Sequence, residues 1–198
     1  MTGRLTIGLY NCYDPVRFHD IMRRTLARAA PVCLAYDCNL ATFGFPFDEG
    51  RRRESKDPDA PDLRTPTDVA EFVVDSTSIS ASDAPLLALA QAGRFSTFDF
   101  PRKGGFPPQL GRVIATSEHP QPKAHAVTPR DVAHELHQGK SQLVVLGLGP
   151  RGLPKDVLGN VGHCLELTGR GVGFETATFI GALPAVVATH LEWLGASR

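Results

Sequence analysis

The sequence has few of the residues from which metal and disulfide sites are built. Its 198 residues include four cysteines, and no two of them have CxxC spacing. The seven histidines are scattered along the chain, so neither residue type forms the ligand pattern of a zinc site. We therefore expect no bound metal. The cysteines are expected to be free thiols in a reducing compartment: Cys12, Cys33, Cys38 and Cys164.

Net charge and long apolar runs are also missing. The 21 basic side chains are balanced by 21 acidic ones, which excludes a large uniform basic face but allows local basic patches. No uninterrupted apolar run approaches the roughly 20 residues that cross a bilayer. The first residues, MTGRLTIGLYN, become polar too soon for a secretory signal. We expect a cytoplasmic protein that does not bind a membrane.

The length and the composition predict one domain with one unusual segment. A chain of 198 residues has the size of a single domain, and it contains no internal repeat. Residues 48–66 are dominated by charge and proline, and apolar anchors are almost absent from them. Such a segment buries too little apolar area to offset its ordering entropy. We predict a flexible surface insertion at 48–66 within a 1–198 domain.

Apolar runs and helical periodicities alternate along the chain. Strands are predicted at Leu5–Tyr10, Val32–Tyr36, Phe95–Phe100, Gly111–Ser117, Leu143–Leu146 and Cys164–Leu167. Helices are predicted from Asp14-Pro15 to Ala29, where Pro31 ends the helix, and over Pro66–Val74, Ala84–Ala92, Thr128–His137 and Phe174–Leu194. Six strands interleaved with helices predict an α/β fold, with a mostly parallel sheet flanked by helices.

Two of the predicted strands end in glycine-rich loops. Leu143–Leu146 leads into Gly147-Leu148-Gly149-Pro150-Arg151-Gly152, and Cys164–Leu167 leads into Thr168-Gly169-Arg170-Gly171-Val172-Gly173. Glycine lets a backbone approach a ligand closely, because it has no Cβ and tolerates positive φ. The carboxyl edge of a parallel sheet is where open α/β folds bind small molecules. The pattern therefore predicts a pocket at this edge.

One alternative for this pocket is a dinucleotide. Gly147, Gly149 and Gly152 have the GxGxxG spacing after a strand, and Glu166 lies near the place of a ribose-binding acid. Pro150 and other helix breakers leave little room for the long helix that this fingerprint needs. No GK[ST] follows the glycines, so a phosphate-cradling P-loop is not supported. A nucleotide-dependent oxidoreductase remains an alternative.

Three segments resemble a known family. LVVLGLGPRGLP at Leu143–Pro154 is similar to a strand followed by a Gly-x-x-Gly-Leu loop, and LELTGRGVGFETATFIG at Leu165–Gly181 is similar to the family's last motif. NCYDPVRFHDIMRRT at Asn11–Thr25 resembles the signature of its SpoU branch. The chain thus resembles the SPOUT superfamily of knotted, S-adenosylmethionine-dependent RNA methyltransferases, and more narrowly an archaeal family of SPOUT-like proteins.

The resemblance implies a C-terminal trefoil knot, S-adenosylmethionine as cofactor and RNA, either tRNA or rRNA, as substrate. It also implies a homodimer formed through the C-terminal helix and the knot loops. The acceptor is a ribose or a base. The residues implied for cofactor binding are Thr116, Gly147, Leu148, Gly149, Gly152, Leu153, Leu165, Leu167, Thr168, Gly173, Phe174, Thr176 and Ala177.

The catalytic residues follow from the same resemblance, with departures. Arg23 stands at the family's catalytic arginine, whereas Arg17 and Glu175 replace two asparagines. The arginines are expected to hold the acceptor, and Glu175 is expected to face the sulfonium or take a proton. The alternatives are a solvated helix face for the arginines and a helix-dipole acid for Glu175. The residues expected to contact RNA are Arg24, Arg102, Lys103 and Arg151.

The two replaced asparagines leave a second reading of the resemblance. A knotted protein that has lost the acceptor chemistry binds RNA or another ligand without catalysis. Arg51, Arg52 and Arg53 are further candidates for phosphate contacts, although acids crowd the same segment. His19 is a candidate base, and Phe106 is a candidate for stacking on a nucleobase.

Overall fold

A single parallel sheet forms the centre of the protein. The computed structural model describes residues 3–47, 63–77, 84–102, 105–118 and 123–196. Seven strands in the order β3-β2-β1-β6-β4-β7-β5 form the sheet, and each neighbouring pair is parallel. The strands are β1 Leu5–Asn11, β2 Asn39–Phe43, β3 Phe95–Phe98, β4 Arg112–Thr116, β5 His125–Val127, β6 Gln142–Leu148 and β7 His163–Leu165.

Helices pack on the sheet. Successive residues of a strand point to opposite faces of the sheet and therefore pack against different helices. The helices are α1 Asp20–Ala35, α2 Pro66–Ser76, α3 Pro85–Gln91, α4 Pro129–His137, α5 Lys155–Val161 and α6 Thr176–Ala196. Leu40 belongs to the larger apolar core with buried residues of α1, α2, α3, α4 and α6. Its strand neighbours Ala41 and Phe43 belong to a smaller core with Val157 of α5. The predicted α/β architecture with a parallel sheet is confirmed.

The first helix is not where the sequence predicts it. Asp14 is not its N-cap, because the Asp14 carboxylate accepts the N–H of Val16 at 2.8 Å in a turn. The helix begins at Asp20 and continues through Pro31 to Ala35. An internal proline costs about 3 kcal/mol. Here Ala29, Ala30 and Cys33 are fully buried, so packing around the proline offsets that cost.

One strand prediction is wrong as a consequence of this, and a separate short strand was missed. Val32–Tyr36 is the last turn of α1, and the second strand is Asn39–Phe43 instead. Between them Asp37 has a φ of 51°, and the Cys38 N–H bonds to the carbonyl of Cys33 at 2.8 Å. The strand His125–Val127 has only three residues and was not predicted.

Two other helix starts, those of α2 and α4, are where the sequence predicts them. Thr128 caps α4 in a reciprocal box with Asp131: the Asp131 N–H donates to the Thr128 hydroxyl, and the Asp131 carboxylate accepts the Thr128 N–H. Thr65 and Asp68 form the same box at the start of α2. Both helices have proline at their first position, where no intrahelical donor is lost.

The last helix is long and apolar. Within the described residues, Thr176–Gly195 is the one stretch whose length and composition would allow it to cross a membrane. A core helix of a globular protein meets the same criterion, and 28% of this stretch is buried inside the protein. Phe179, Ile180, Leu183 and Val187 are its buried face, and the helix contacts α1 and α4.

The order of the strands decides where the loops meet. β6 lies between β1 and β4, and β7 pairs with the other side of β4. Since all these strands are parallel, their carboxyl ends lie side by side at one edge of the sheet. From β1 the chain runs outward through β2 and β3 on one side of β6, and it then crosses to β4 and the edge strand β5 on the other side. β6 therefore lies at the point where the strand order reverses, which is a topological switch point.

Candidate functional site

A cavity of about 640 Å³ opens at the carboxyl edge of the central strands. Its walls come from the loop after β1, the loop after β4, the glycine loop after β6, and the segment from β7 into α6. The volume is within the usual range for small-molecule sites. The two glycine-rich loops expected to form a pocket thus adjoin one cavity, and the loops after β1 and β4 complete its walls.

Most of the residues expected at a cofactor site line this cavity. They are Thr116, Gly147, Leu148, Gly149, Gly152, Leu153, Leu165, Leu167, Gly173, Phe174 and Thr176, together with Glu175 and Arg151. Thr168 and Ala177 lie in the same loops but do not line the cavity. Leu148, Leu153 and Leu165 are buried and provide apolar wall.

The loop after β6 is folded tightly against the end of its own strand. A Cβ on Gly147 would overlap the backbone of Gly152 and Leu153, so only glycine fits there. Gly152 has a φ of 64°, a left-handed conformation that favours glycine, and its N–H bonds to the carbonyl of Gly149 at 3.2 Å. The glycines therefore shape this loop, and they do so without a long helix behind it.

The loops after β1 and β6 lie in direct contact. The Cys12 N–H donates to the Leu148 carbonyl at 3.2 Å, and a Cβ on Gly149 would come within 2.9 Å of the Cβ of Cys12. Burial raises the pKa of the Cys12 thiol to about 11, although a backbone bond from Leu148 acts in the opposite direction. The thiol is therefore protonated at neutral pH and is no nucleophile here.

A buried asparagine fixes the turn that follows β1. The Asn11 side-chain amide donates to the Gly44 carbonyl at 2.8 Å, and its oxygen accepts the Tyr13 N–H at 2.8 Å. Asn11 is almost completely buried, so these bonds are shielded from water. The ring of Tyr13 is consequently held at the wall of the cavity.

The loop after β7 is organised around the carboxylate of Glu166. It accepts the Thr168 N–H at 2.9 Å and the Thr168 hydroxyl at 2.6 Å. Burial by itself raises the pKa of Glu166, but the bonds from Thr168, Gly171 and Gly169 outweigh it and hold the pKa below its ordinary value. Glu166 is thus ionised at neutral pH, and Thr168 shapes the loop from outside the cavity.

The start of α6 is tied to the glycine loop. The Thr176 hydroxyl donates to the Gly147 carbonyl at 3.2 Å. The Glu175 carboxylate accepts the N–H groups of Ala177 at 3.1 Å and Thr178 at 3.4 Å. Glu175 therefore satisfies free donors at the helix N-terminus while it also lines the cavity.

The cavity is acidic. Among the described residues that line it, Glu118, Glu166 and Glu175 are acidic and Arg151 is the one basic side chain. The Glu118 carboxylate occupies the space that a Cβ on Gly173 would need, so the missing side chain leaves room for this acid. No group of three or more metal-ligating side chains is placed to hold a metal ion in the described parts of the chain.

Apart from Arg151, the predicted arginines that the structure describes do not line the cavity. Arg23 is half-buried, forms an ion pair with Asp20 at 3.1 Å, and lies over the ring of Phe72 at 5.7 Å. Arg17 and Arg24 are exposed, and Arg24 also pairs with Asp20. Arg102 is exposed on a loop away from the lining residues. Lys103, Arg51, Arg52 and Arg53 lie outside the described residues.

Two other sequence candidates are also placed by the structure. His19 precedes α1, and its buried Nε2 has no hydrogen-bond partner among the described residues. Phe106 packs edge-on against Phe43 with ring centroids 4.9 Å apart, which is a core contact. Neither side chain lines the cavity.

Tyr13 and Glu118 are among the cavity residues that sequence reasoning missed. Both follow the carboxyl end of a central strand by two residues, and this is the position at which parallel sheets present functional side chains. That positional rule was the available signal. It could not be applied without the strand order, which brings β1 and β4 next to β6.

The chain matches a family over nearly its whole length. Residues 5–188 match the family described as "Protein of unknown function (DUF531)". A relative from the archaeon Methanocaldococcus jannaschii, "Uncharacterized protein MJ0224", is 37% identical over 191 residues. The match covers 96% of this chain and 97% of that relative.

Several solved structures share the fold. A probable methylase family protein from Haemophilus influenzae is similar over 99% of this chain and 70% of its own, with a TM-score of 0.59 and 13% identity. TrmJ from Z. mobilis is similar over 96% and 70%, with a TM-score of 0.53 and 13% identity. The AdoMet-bound rRNA methyltransferase from Sinorhizobium meliloti is similar over 96% and 58%, with a TM-score of 0.51 and 16% identity.

These neighbours are SPOUT-like methylases, and the resemblance read from the three motifs is confirmed. At such low identity the likeness concerns the fold. The chain belongs to the DUF531 family, and its fold is that of the SPOUT methylases.

Proposed function

We propose that this protein is an S-adenosylmethionine-dependent methyltransferase that acts on RNA. The observation that carries the proposal is the cavity, in which the glycine loop after β6 and the loop from β7 into α6 form adjoining walls. The fold supports it, because the neighbours with this architecture include an rRNA methyltransferase bound to AdoMet. The proposed target is tRNA or rRNA, and the proposed acceptor is a ribose or a base.

The lining of the cavity suits a cationic adenosine derivative. Backbone groups of the glycine-rich loop after β6 can reach an adenine edge. Leu148, Leu153 and Leu165 supply apolar contact for the ring. Three carboxylates against one arginine favour a ligand with positive charge. A sulfonium and an ammonium group match this field.

The same features disfavour a dinucleotide. Gly152 lies in a left-handed turn outside any helix, and α5 begins only at Lys155 and has seven residues. The long helix α6 does begin at the cavity, but the Glu175 carboxylate already accepts two of its N-terminal N–H groups and would repel a pyrophosphate. One basic side chain among the described lining residues is also a poor match for two phosphates. Methyl donor binding is therefore the better hypothesis.

Each residue of the site has a proposed role. When bound, S-adenosylmethionine supplies the methyl group. The glycine loop and Thr176 position the adenosine, because the Thr176 bond to Gly147 keeps the loop and α6 in register. Glu175, at the N-terminus of α6, faces the positive charge of the donor's sulfonium or accepts the proton that the acceptor releases. Glu118, in the loop after β4, adds negative charge beside Gly173.

The arginines are proposed to contact phosphates of the RNA, at the cavity and outside it. Arg151 lines the cavity and has no ion pair among the described residues, so it is available for a phosphate near the acceptor. Arg17, Arg24 and Arg102 are exposed and suited to phosphate contacts. Arg23 keeps its predicted role only if it leaves Asp20, with which it is paired.

We also propose the trefoil knot and the homodimer. Two late strands lie between earlier ones, β6 between β1 and β4 and β7 between β4 and β5, and α6 then returns to α1 and α4. Val186 is exposed on α6, as expected for a face that meets a second copy. Light scattering should give twice the 21.4 kDa of one chain, and Val186→Asp should return it to 21.4 kDa. A monomeric wild type would contradict the dimer.

A labelled methyl donor tests the activity. The wild-type protein should incorporate label into tRNA or rRNA that lacks its native modifications, and Glu175→Gln should lower the rate by about 10²-fold or more, the size of a general-base contribution. Arg28→Ala is the matched control, since Arg28 is an exposed residue of α1 that does not line the cavity.

The second candidate function has its own signature. If the donor binds but neither RNA class gains label, the protein is a binding module of the same fold, without acceptor chemistry. The replacement of two family asparagines by Arg17 and Glu175 is what favours this candidate. Unchanged incorporation in Arg23→Ala would remove Arg23 from the catalytic group.

A further inference from the structure

Part of the exposed apolar surface of this protein lies at the cavity. Seven large hydrophobic side chains are exposed among the described residues, and three of these, Tyr13, Val172 and Phe174, line the cavity. Exposed apolar groups that cluster in a concave site are typical of ligand contacts. Two of the three are aromatic, with exposed fractions of 39% for Tyr13 and 41% for Phe174.

Tyr13 is held in place more firmly than an exposed loop residue needs to be. Its N–H bonds to the buried Asn11 side chain at 2.8 Å, and Asn11 is anchored in turn to the carbonyl of Gly44. The preceding Cys12 is bonded to Leu148 and lies against Gly149. The ring also lies 6.0 Å from the ring of His19. The fold therefore fixes the backbone of Tyr13 at the cavity wall, and its side chain, beside His19, stays exposed.

The adenosine of the proposed donor does not use this wall. Its proposed contacts are the glycine loop after β6 and the loop from β7, whereas Tyr13 belongs to the loop after β1. An exposed aromatic ring, with no hydrogen bond to its hydroxyl in the described structure, offers stacking rather than specific base-edge contacts. Stacking tolerates any nucleobase, because every base has a π face.

We propose that Tyr13 forms a stacking subsite for one unstacked nucleobase of single-stranded RNA. This inference rests on the proposed function and names the acceptor side of the same cavity. Proteins recognise single-stranded RNA by stacking splayed bases on aromatic rings. Arg151 lies at the same cavity and supplies a charge for the adjoining phosphate. Tyr13 is thus a positioning residue for the acceptor nucleotide.

The test compares RNA that carries a base with RNA that lacks one. The probe is a fluorescein-labelled RNA octamer with a central 2-aminopurine, and the matched probes are an octamer with an abasic centre and the same octamer in a duplex. Wild type should bind the 2-aminopurine octamer about 5- to 150-fold more tightly than the abasic one, the range for stacking of one base. Binding should also change the 2-aminopurine fluorescence.

The variants separate stacking from charge and from folding. Tyr13→Ala should remove the preference over the abasic octamer, and Tyr13→Phe should keep it. Tyr36→Ala is the control, because Tyr36 has a similar exposed fraction of 42% but lies at the end of α1, outside the cavity. Equal binding of both octamers by wild type, an undiminished preference in Tyr13→Ala, or equal binding of the duplex would overturn the proposal. Effective competition by free nucleoside monophosphates would do so too, since it would make RNA unnecessary.

Calorimetry with S-adenosylmethionine on the same proteins distinguishes this proposal from the proposed function. Tyr13→Ala should bind the donor within twofold of wild type, because Tyr13 contacts only the acceptor. If wild type binds no donor and still prefers the 2-aminopurine octamer through Tyr13, the methyltransferase proposal fails and the stacking subsite stands. If donor binding is normal and the preference is absent, the subsite alone is wrong.

Discussion

The Thr176 hydroxyl donates a hydrogen bond to the carbonyl oxygen of Gly147 at 3.2 Å, 29 residues earlier in the chain. This bond joins the first residue of α6 to the carboxyl end of β6, so two walls of the cavity are held together by one side chain. The end of the chain is thereby coupled to the shape of the glycine loop.

Removing that bond should weaken donor binding and leave the fold in place. Thr176→Val keeps the shape of the side chain but cannot donate, and a hydrogen bond of this kind contributes about 1 kcal/mol, or about fivefold in affinity. Thr178→Val is the control, because Thr178 is exposed two residues further along α6 and does not line the cavity. Calorimetry with S-adenosylmethionine should separate the two variants, and equal affinities would show that the bond does not support the site.

Gly147 is a position of the glycine loop that has no room for a side chain. Its missing Cβ faces the backbone of Gly152 and Leu153, which cannot move as a flexible side chain would. Gly147→Ala should lower the free energy of unfolding by roughly 1–3 kcal/mol, the usual cost of overpacking, and should abolish donor binding. Gly159→Ala in α5 meets nothing within 4 Å and should be neutral or stabilising. Chemical denaturation of both variants checks this, and a Gly147→Ala protein as stable as wild type would refute it.

Glu118 should discriminate between the charged donor and its neutral product. The sulfonium of S-adenosylmethionine is positive, and the thioether of S-adenosylhomocysteine is not. Glu118→Gln should weaken binding of the donor by about 2- to 5-fold, which corresponds to the contribution of an exposed ion pair. It should leave binding of the product unchanged. Glu192→Gln on the exposed face of α6 is the control. Parallel losses for both ligands would mean that Glu118 acts through the loop rather than through charge.

The capping box of α4 gives a pH-dependent prediction. The Thr128 hydroxyl and then its backbone N–H bond to Asp131 and hold the pKa of that carboxyl below its ordinary value. A depressed folded-state pKa means that the stabilisation is present above the unfolded pKa, about 3.9, and is lost as pH falls through the folded value. Asp131→Asn should therefore be less stable than wild type at pH 7, with a difference that shrinks below about pH 4. Urea titrations between pH 7 and pH 3 measure it, and a constant difference would contradict the assignment.

The elements that the sequence predicted well carry their own local signals. Thr128-Pro129 marks the start of α4, and the apolar run before Gly147 marks β6, because both depend on neighbouring residues alone. The error at Val32–Tyr36 has the opposite cause. Pro31 is a strong local stop signal, and it was outweighed by the burial of Ala29, Ala30 and Cys33 against elements far along the chain.

The cavity residues divide in the same way, into those with a local sequence signal and those placed by tertiary structure. The glycine loops were visible because close backbone approach restricts the residue type to glycine. Tyr13 and Glu118 were not visible, since their place in the cavity depends on β6 lying between β1 and β4. The position of Arg23 against Asp20 and Phe72 also depends on tertiary packing, which a motif alignment does not contain.

Isothermal calorimetry with S-adenosylmethionine and with NAD tests the central claim most directly. We expect wild type to bind one S-adenosylmethionine per chain and to show no binding of NAD. We also expect Gly149→Val to lose the donor, because its side chain would press on Cys12 and displace the loop. Absence of S-adenosylmethionine binding by a folded wild-type protein, or tighter binding of NAD, would contradict the account.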